Sequence, residues 1–505
     1  MRTTPWRIGM LILLVLSLNG VSLAADPTIY VAAIVTDASE ILTEAEIAAV
    51  TSPYVGRELT VAQLHEVVAQ LNLLYEQKGF LTARAVLPAQ TVEQGVVRIR
   101  LVEGKVGNVE VVGNKTAAAS FYVRRIRLQP GELVRLDRIA QDVGYFNRMH
   151  ADQVQIQLQP GTAFGTTDFF VLVNPAPDQR VISIDNAGRA ETGEYRVAVT
   201  YVRQHLLRRG DPLTLSGIWA KGLLAGSAAY QIPLGTRGAN LSLGYDASKA
   251  EVLTPEFADL EITSRSSDAR LTFSYPWLVT NSVIVSSPLE LHRKYSGTAY
   301  SGVSLTGFVV RTAAAGVDLQ WQTAGSTGSC RCAYLVGDIR LAAAAEDVTE
   351  EEADEETEEG DTFQKWQCAI NGQAVLPGRL MLNWRGAVQG GNGELPSTEK
   401  LGMGGAETVR GHAEGKLSGD GGYYVGLELA APISERLTVS VFADHGRLFP
   451  AEEVTEVEAT QDDTQSITGY GAGLSLQLFS GLSFKAAYGW SGSGKELHAA
   501  LQWAF

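Results

Sequence analysis

No apolar run of this chain is long enough to cross a bilayer as a helix, which needs about 20 residues. The longest, residues 8–18, follows Arg2 and Arg7 and precedes a small-residue cleavage site, Ser22-Leu23-Ala24 or Leu23-Ala24-Ala25. It therefore reads as an export signal over residues 1–25, cleaved before the mature chain acts. Cysteine is also scarce, with only Cys330, Cys332 and Cys368. An odd number cannot all pair in an exported chain. Cys330 and Cys332 are too close for an unstrained bridge, and Cys332 and Cys368 are expected at different heights on neighbouring strands. All three read as structural or incidental. The seven histidines show no ligand spacing, so neither a metal nor another cofactor is expected. No basic stripe with interleaved aromatics is present, which excludes nucleic acid as a partner. The nucleophile elbow of a serine hydrolase is missing too. The nearest approach to a phosphate-binding loop, residues 489–495, puts Glu496 where Ser or Thr must bind magnesium, and a strand pattern follows it. No enzyme is expected.

What is present is unevenly distributed. The net charge of −15 comes from two short segments: residues 346–361 hold 11 acidic and no basic side chains, and residues 452–463 hold 6 more. The remainder is near neutral. Hydrophobic content is 45% and mean hydropathy is +0.01. Such values resemble a soluble protein but equally suit a β-barrel, whose strands alternate instead of running apolar.

Residues 26–105 read as a small mixed module. A strand at 30–35 leads to a helical stretch carrying Ile41, Ala45 and Ala49. Thr60 then caps a second helix whose Leu64, Val67, Val68, Leu71, Leu74 and Tyr75 share one face. Strands at 81–87 and 96–102 complete the module. The same order recurs over residues 106–176, with a strand at 109–112, helices at 120–128 and 136–146, and strands at 154–158 and 169–173. Asn174-Pro175-Ala176-Pro177 reads as a linker.

From residue 177 to 505 no helix is convincing. Short segments alternate, among them Tyr195, Val197, Val199 and Tyr201, then Leu437, Val439 and Val441, and a terminal series ending on Trp503 and Phe505. The opposite faces carry Arg196, Asn383, Arg385, Glu428 and Gln502, the reverse of a soluble sheet. A barrel of about 16 strands of roughly ten residues fits this length. Short turns such as residues 235–238 belong on the periplasmic side, and both acidic runs on the outer side.

One stretch does not alternate throughout. Residues 401–422 are so rich in glycine that they form a long loop, and its centre is Val409-Arg410-Gly411-His412. Strand parity at 436–446 turns Leu437, Val439 and Val441 to lipid and Thr438, Ser440, Phe442 and Asp444 to the lumen. An inward Asp444 requires a cation, and Arg410 supplies it if the loop folds back inside.

These residues carry a resemblance. Val409-Arg410-Gly411-His412 resembles the loop tip, and Phe442-Ala443-Asp444-His445-Gly446 the strand motif, of the transporter component of bacterial two-partner secretion in the Omp85 superfamily. Gln159-Pro160-Gly161, Asp185-Asn186-Ala187-Gly188 and Gly210-Asp211 support it. The resemblance implies two periplasmic POTRA domains, 26–105 and 106–176, followed by an outer-membrane barrel of 16 antiparallel strands at 177–505. It implies a loop, 391–421, folded into the lumen so that Arg410 meets Asp444. The POTRA domains would capture an unfolded exoprotein of the TpsA type by its N-terminal domain, and the barrel, a monomer in outer-membrane lipid, would pass it outward. The alternative is an Omp85-type insertase that assembles other barrels. Two departures stand out. His412 replaces the family's usual aromatic, and too few residues separate the expected cleavage site from Tyr30 to carry over the family's N-terminal plug helix.

Overall fold

The computed structural model describes residues 27–113, 119–208, 210–342, 360–392, 394–449, 465–492 and 494–505. The export signal and nearly all of both acidic runs lie outside these residues.

The first module runs through β1 (Thr28–Val31), β2 (Ala33–Thr36), α1 (Glu44–Thr51), β3 (Arg57–Thr60), α2 (Val61–Gln77), β4 (Arg84–Val86) and β5 (Val96–Val102). The strand anticipated at 30–35 is in fact two. At Ala32 the backbone N–H turns to Gly95 O, 2.8 Å away, so β1 pairs with β3 while β2 runs parallel to β5. Thr43 and Thr60 cap α1 and α2, each with a reciprocal bond from Glu46 or Gln63. Leu64, Val67, Val68, Leu71 and Tyr75 of α2 are buried against Val97, Ile99 and Leu101 of β5. Each such side chain contributes roughly 1.5–3 kcal/mol.

The second module follows as β6 (Lys105–Val112), α3 (Ser120–Ile126), α4 (Leu136–Met149), β7 (Gln153–Pro160) and β8 (Thr166–Asn174), with sheet order β6-β8-β7. The chain divides into two compact units: residues 108–129, 138–159 and 168–176 belong with the barrel, and the other parts of this module belong with the first one.

The barrel begins with β9 (Gln179–Asp185), β10 (Arg196–Arg203), β11 (Leu213–Ala220), β12 (Leu223–Leu234), β13 (Ala239–Glu251) and β14 (Thr263–Val279). It continues through β15 (Val283–Tyr300), β16 (Val303–Gln322), β17 (Ser326–Ala342), β18 (Asp361–Val375) and β19 (Met381–Asn392). A hairpin of β20 (Leu401–Met403) and β21 (Leu417–Gly419) interrupts the series. It resumes with β22 (Gly422–Pro432), β23 (Leu437–Leu448), β24 (Ser466–Phe479), β25 (Leu482–Ser491) and β26 (Gly494–Ala504). Sixteen antiparallel strands close when β26 pairs with β9. Closure leaves no edge, which a sheet in lipid requires. Val197, Val199, Leu427 and Val441 point outward and are exposed without lipid, as strand parity anticipates. Of the residues that brush against a phosphate-loop pattern, 489–491 lie on β25 and 494–495 on β26, two strands paired with each other.

Cys332 and Cys368 are directly opposite in the β17–β18 register and form a disulfide, with 4.1 Å between their Cα atoms. This corrects the expectation that they sit at different heights. The strands are joined by a long connection, so no tight turn sets their register, and sequence spacing alone cannot supply it. Cys330 is unpaired.

The second module is wired to the turns at one end of the barrel. Arg125 Nη2 donates to Gly235 O and Tyr145 Oη to Arg237 O, both at 2.8 Å. In the turn after β10, Asp211 accepts the amides of Leu206, Leu207 and Arg208 and the Tyr230 hydroxyl. His205 of that turn reaches Asp152 at 3.0 Å.

His150, just past α4, lies between Phe121 and Phe146 with ring centroids 5.5 and 4.5 Å away. Burial, and secondarily Arg125, lower its pKa to about 4 from the ordinary 6.5. Between these values the unfolded chain binds a proton that the folded one refuses. Stability is therefore complete above about pH 6.5 and declines as the pH falls toward 4, by about 3 kcal/mol. We expect full-length His150→Phe to lose this acid-side decline, read as the pH dependence of protease resistance of α4. An unchanged decline would remove His150 as its source.

Candidate functional site

The register of three strands builds one wall of the lumen. Arg385 on β19 lies opposite Gly426 on β22, which lies opposite Asp444 on β23; one pair lower, Glu428 faces Phe442. Parity turns all of these inward. Gly426 is required, since a Cβ there would stand 2.5 Å from Asp444 Oδ1.

Onto this wall the loop between β19 and β22 descends. Its hairpin β20–β21 holds the tip, residues 404–416, whose Val409 is fully buried with Met403 against Leu448 and Ile467. Gly446 of β23 makes room for both: a Cβ would meet Met403 Sδ at 2.6 Å and Val409 Cγ2 at 3.2 Å.

Arg410 is 5% exposed and Asp444 1%. Arg410 Nε donates to Asp444 Oδ2 at 2.7 Å and Nη2 to Oδ1 at 3.0 Å, a two-point contact. The Arg410 backbone N–H adds a third bond to Oδ2 at 3.1 Å. Nη1 pairs with Glu428. The guanidinium carbon lies 3.5 Å from the centroid of the Phe442 ring, so the cation also rests on an aromatic face. Arg385 Nη2 donates to Asp444 Oδ2 at 3.1 Å and to Thr408 O at 3.3 Å. Two guanidiniums thus balance two carboxylates, which is what makes the burial of Arg410 and Asp444 tolerable.

Beyond Arg410 the tip presses on bare backbone. A Cβ at Gly469 on β24 would fall 1.6 Å from Arg410 O, and one at Gly489 on β25 would fall 2.5 Å from Gly411 N. Gly411 itself has φ +87° and meets Trp490 O, so no side chain fits there either. His412 takes the place left by the usual aromatic as a donor, its Nε2 lying 3.1 Å from Thr468 O.

All seven residues singled out in the sequence, Val409, Arg410, Gly411, His412, Phe442, Asp444 and Gly446, therefore meet in one cluster. Sequence reasoning missed the roles of Arg385, Glu428, Gly469 and Gly489. Parity had already turned Arg385 and Glu428 inward. The alternate glycines 469, 471 and 473 were a legible sign that something presses on β24.

Comparison with known proteins follows the same lines. Residues 172–476 match a family described as "Haemolysin secretion/activation protein ShlB/FhaC/HecB", and residues 29–104 match "POTRA domain, ShlB-type". The chain is 24% identical over 450 residues to the heme/hemopexin transporter protein HuxB of Haemophilus influenzae, covering 86% of this chain and 78% of the relative. It is 23% identical over 479 residues to the outer membrane transporter CdiB of Dickeya dadantii, covering 90% and 81%. Its fold is similar to that of CdiB from Escherichia coli, with TM-score 0.65 at 19% identity over 97% of this chain and 93% of that one. It also resembles BamA from Haemophilus ducreyi lacking POTRA domains 1–3, with TM-score 0.56 at 14% identity over 95% and 100%.

Proposed function

This chain belongs to the ShlB/FhaC/HecB family of haemolysin secretion/activation proteins, and from that premise we propose how its parts divide the work of secretion. It is an outer-membrane transporter that secretes a partner protein, with its POTRA domains in the periplasm. The modules at 26–105 and 106–176 receive the partner unfolded, and the barrel passes it outward. Strand addition suits the capture step, because short edge strands such as β4 offer main-chain groups to an extended chain. The partner is an exoprotein of the TpsA type, recognised through its N-terminal domain, and one copy of the barrel in lipid suffices.

The observation that carries this reading is the loop. A barrel that only anchored the POTRA domains would need no hairpin held inside its lumen by Arg410, Asp444, Arg385 and Glu428. In the closed state the loop obstructs the lumen, and its release opens the path.

The deciding experiment deletes this chain in cells that also make a large exported repeat protein encoded beside it. That protein should then remain in the periplasm while the other barrels of the outer membrane stay at their normal level. Loss of those barrels, with export of the neighbour intact, would favour the insertase instead.

Orientation gives a second test. Protease sites inserted at Ser301-Gly302, between β15 and β16, should be cut on intact cells, and sites at Gly235 should not. The reverse pattern would overturn the topology.

A further inference from the structure

The tip is not the loop's only attachment. Its first leg, between β19 and β20, crosses to a different part of the wall, where Leu395, 1% exposed, sits among Val310 of β16, Leu335 of β17 and Phe363 of β18. Four residues later Glu399, 3% exposed, enters a ring of polar groups. Its carboxylate pairs with Lys294 of β15 and with Lys365 of β18, the latter at 2.8 Å. Lys365, itself 5% exposed, also donates to Glu399 O at 3.0 Å. Gln389 Nε2 donates to Glu399 O at 2.8 Å and to Asp420 O at 3.0 Å, so one side chain holds both legs.

We propose that Glu399 is a positioning residue, a second latch that keeps the first leg against β15–β18 independently of the Arg410–Asp444 contact. This deepens the secretion reading and rests on it for its purpose. The buried Lys365 ammonium and the half-buried Lys294 ammonium are held in place by one carboxylate, and without it they repel each other and Lys365 wants water. Hydrating Lys365 means moving the leg that covers it. The apolar contact of Leu395 is too small to resist alone. The tip, by contrast, has its own balanced set of four charges and loses nothing when Glu399 is removed.

Release of the leg can be read without any partner protein. In a Cys330→Ser background, a cysteine replacing Pro396, which is buried in the same leg, reports on exposure to a membrane-impermeant maleimide on intact cells. Glu399→Gln should raise its labelling rate by roughly tenfold or more, since severing one side of a buried ion cluster shifts an equilibrium by over a decade. The exchanged pair Glu399→Lys with Lys365→Glu should return it toward the parent rate. Arg410→Ala should leave it nearly unchanged. In planar bilayers purified Glu399→Gln should open more often than the parent, a readout that does not depend on the reporter cysteine. Parent-level labelling and opening in Glu399→Gln would overturn the latch. An equal rise in Arg410→Ala would overturn its independence from the tip. Neither readout requires secretion, so failure of the secretion reading would be seen separately, as a partner that is exported without this chain.

Discussion

Arg410→Ala and Asp444→Ala are each expected to abolish most secretion while the barrel still assembles, and the two losses should not be equal. Breaking a buried ion pair costs about 3–5 kcal/mol when the remaining charge is left alone. After Arg410→Ala, Asp444 still has Arg385 at 3.1 Å, so part of that cost is offset. After Asp444→Ala, Arg410 and Arg385 face each other with only Glu428 between them, and the tip also loses the acceptor for the Arg410 amide. Asp444→Ala should therefore be the more damaging. The double variant should be little worse than Asp444→Ala, because both changes remove one shared contact. Secretion measured across the four-member cycle, with heat-modifiable migration as the check on barrel assembly, decides this. Strictly additive losses would mean that Arg410 acts on the passing partner and Asp444 only on the wall.

The second large effect needs no charge at all. Gly469→Ala adds one methyl group, yet its carbon would lie 1.6 Å from Arg410 O, far inside contact distance. Backbone on both sides leaves no flexible side chain to yield, so the tip must move away from β24. The strand itself loses nothing by the change, since glycine costs a strand more backbone entropy than alanine does. We expect an assembled barrel whose secretion falls about as far as that of Arg410→Ala, since each displaces the same tip. Gly226→Ala is the control, because its new Cβ would meet nothing nearer than Ser216 O at 3.8 Å. Normal secretion by Gly469→Ala would show that the tip is not seated as described.

Much of this site was legible in the sequence for a simple reason: strands have period two. Parity alone placed Asp444, Phe442, Arg385 and Glu428 in the lumen, and glycine content marked the loop. What parity cannot give is register, meaning which inward residue stands beside which. Arg385 becomes a partner of Asp444 only through the β19–β22–β23 row, and Cys332 meets Cys368 only through the β17–β18 row. The split between β1 and β2 escaped notice because both segments are apolar and only a hydrogen bond to Gly95 separates them. The Glu399 cluster was invisible because its lysines lie 105 and 34 residues from it on strands that read as ordinary wall.

The Cys332–Cys368 bond constrains the timetable of biogenesis. Both side chains share the outward parity of Tyr334, Trp366 and Ile370, the face that lipid covers in the finished barrel. Thiol oxidation proceeds through thiolates reached by a water-borne partner, and hydrocarbon admits neither. The bond must therefore close while β17 and β18 are still in the aqueous periplasm, before the barrel enters the membrane. A hairpin joined by a long, acidic connection would then arrive at the bilayer already in register.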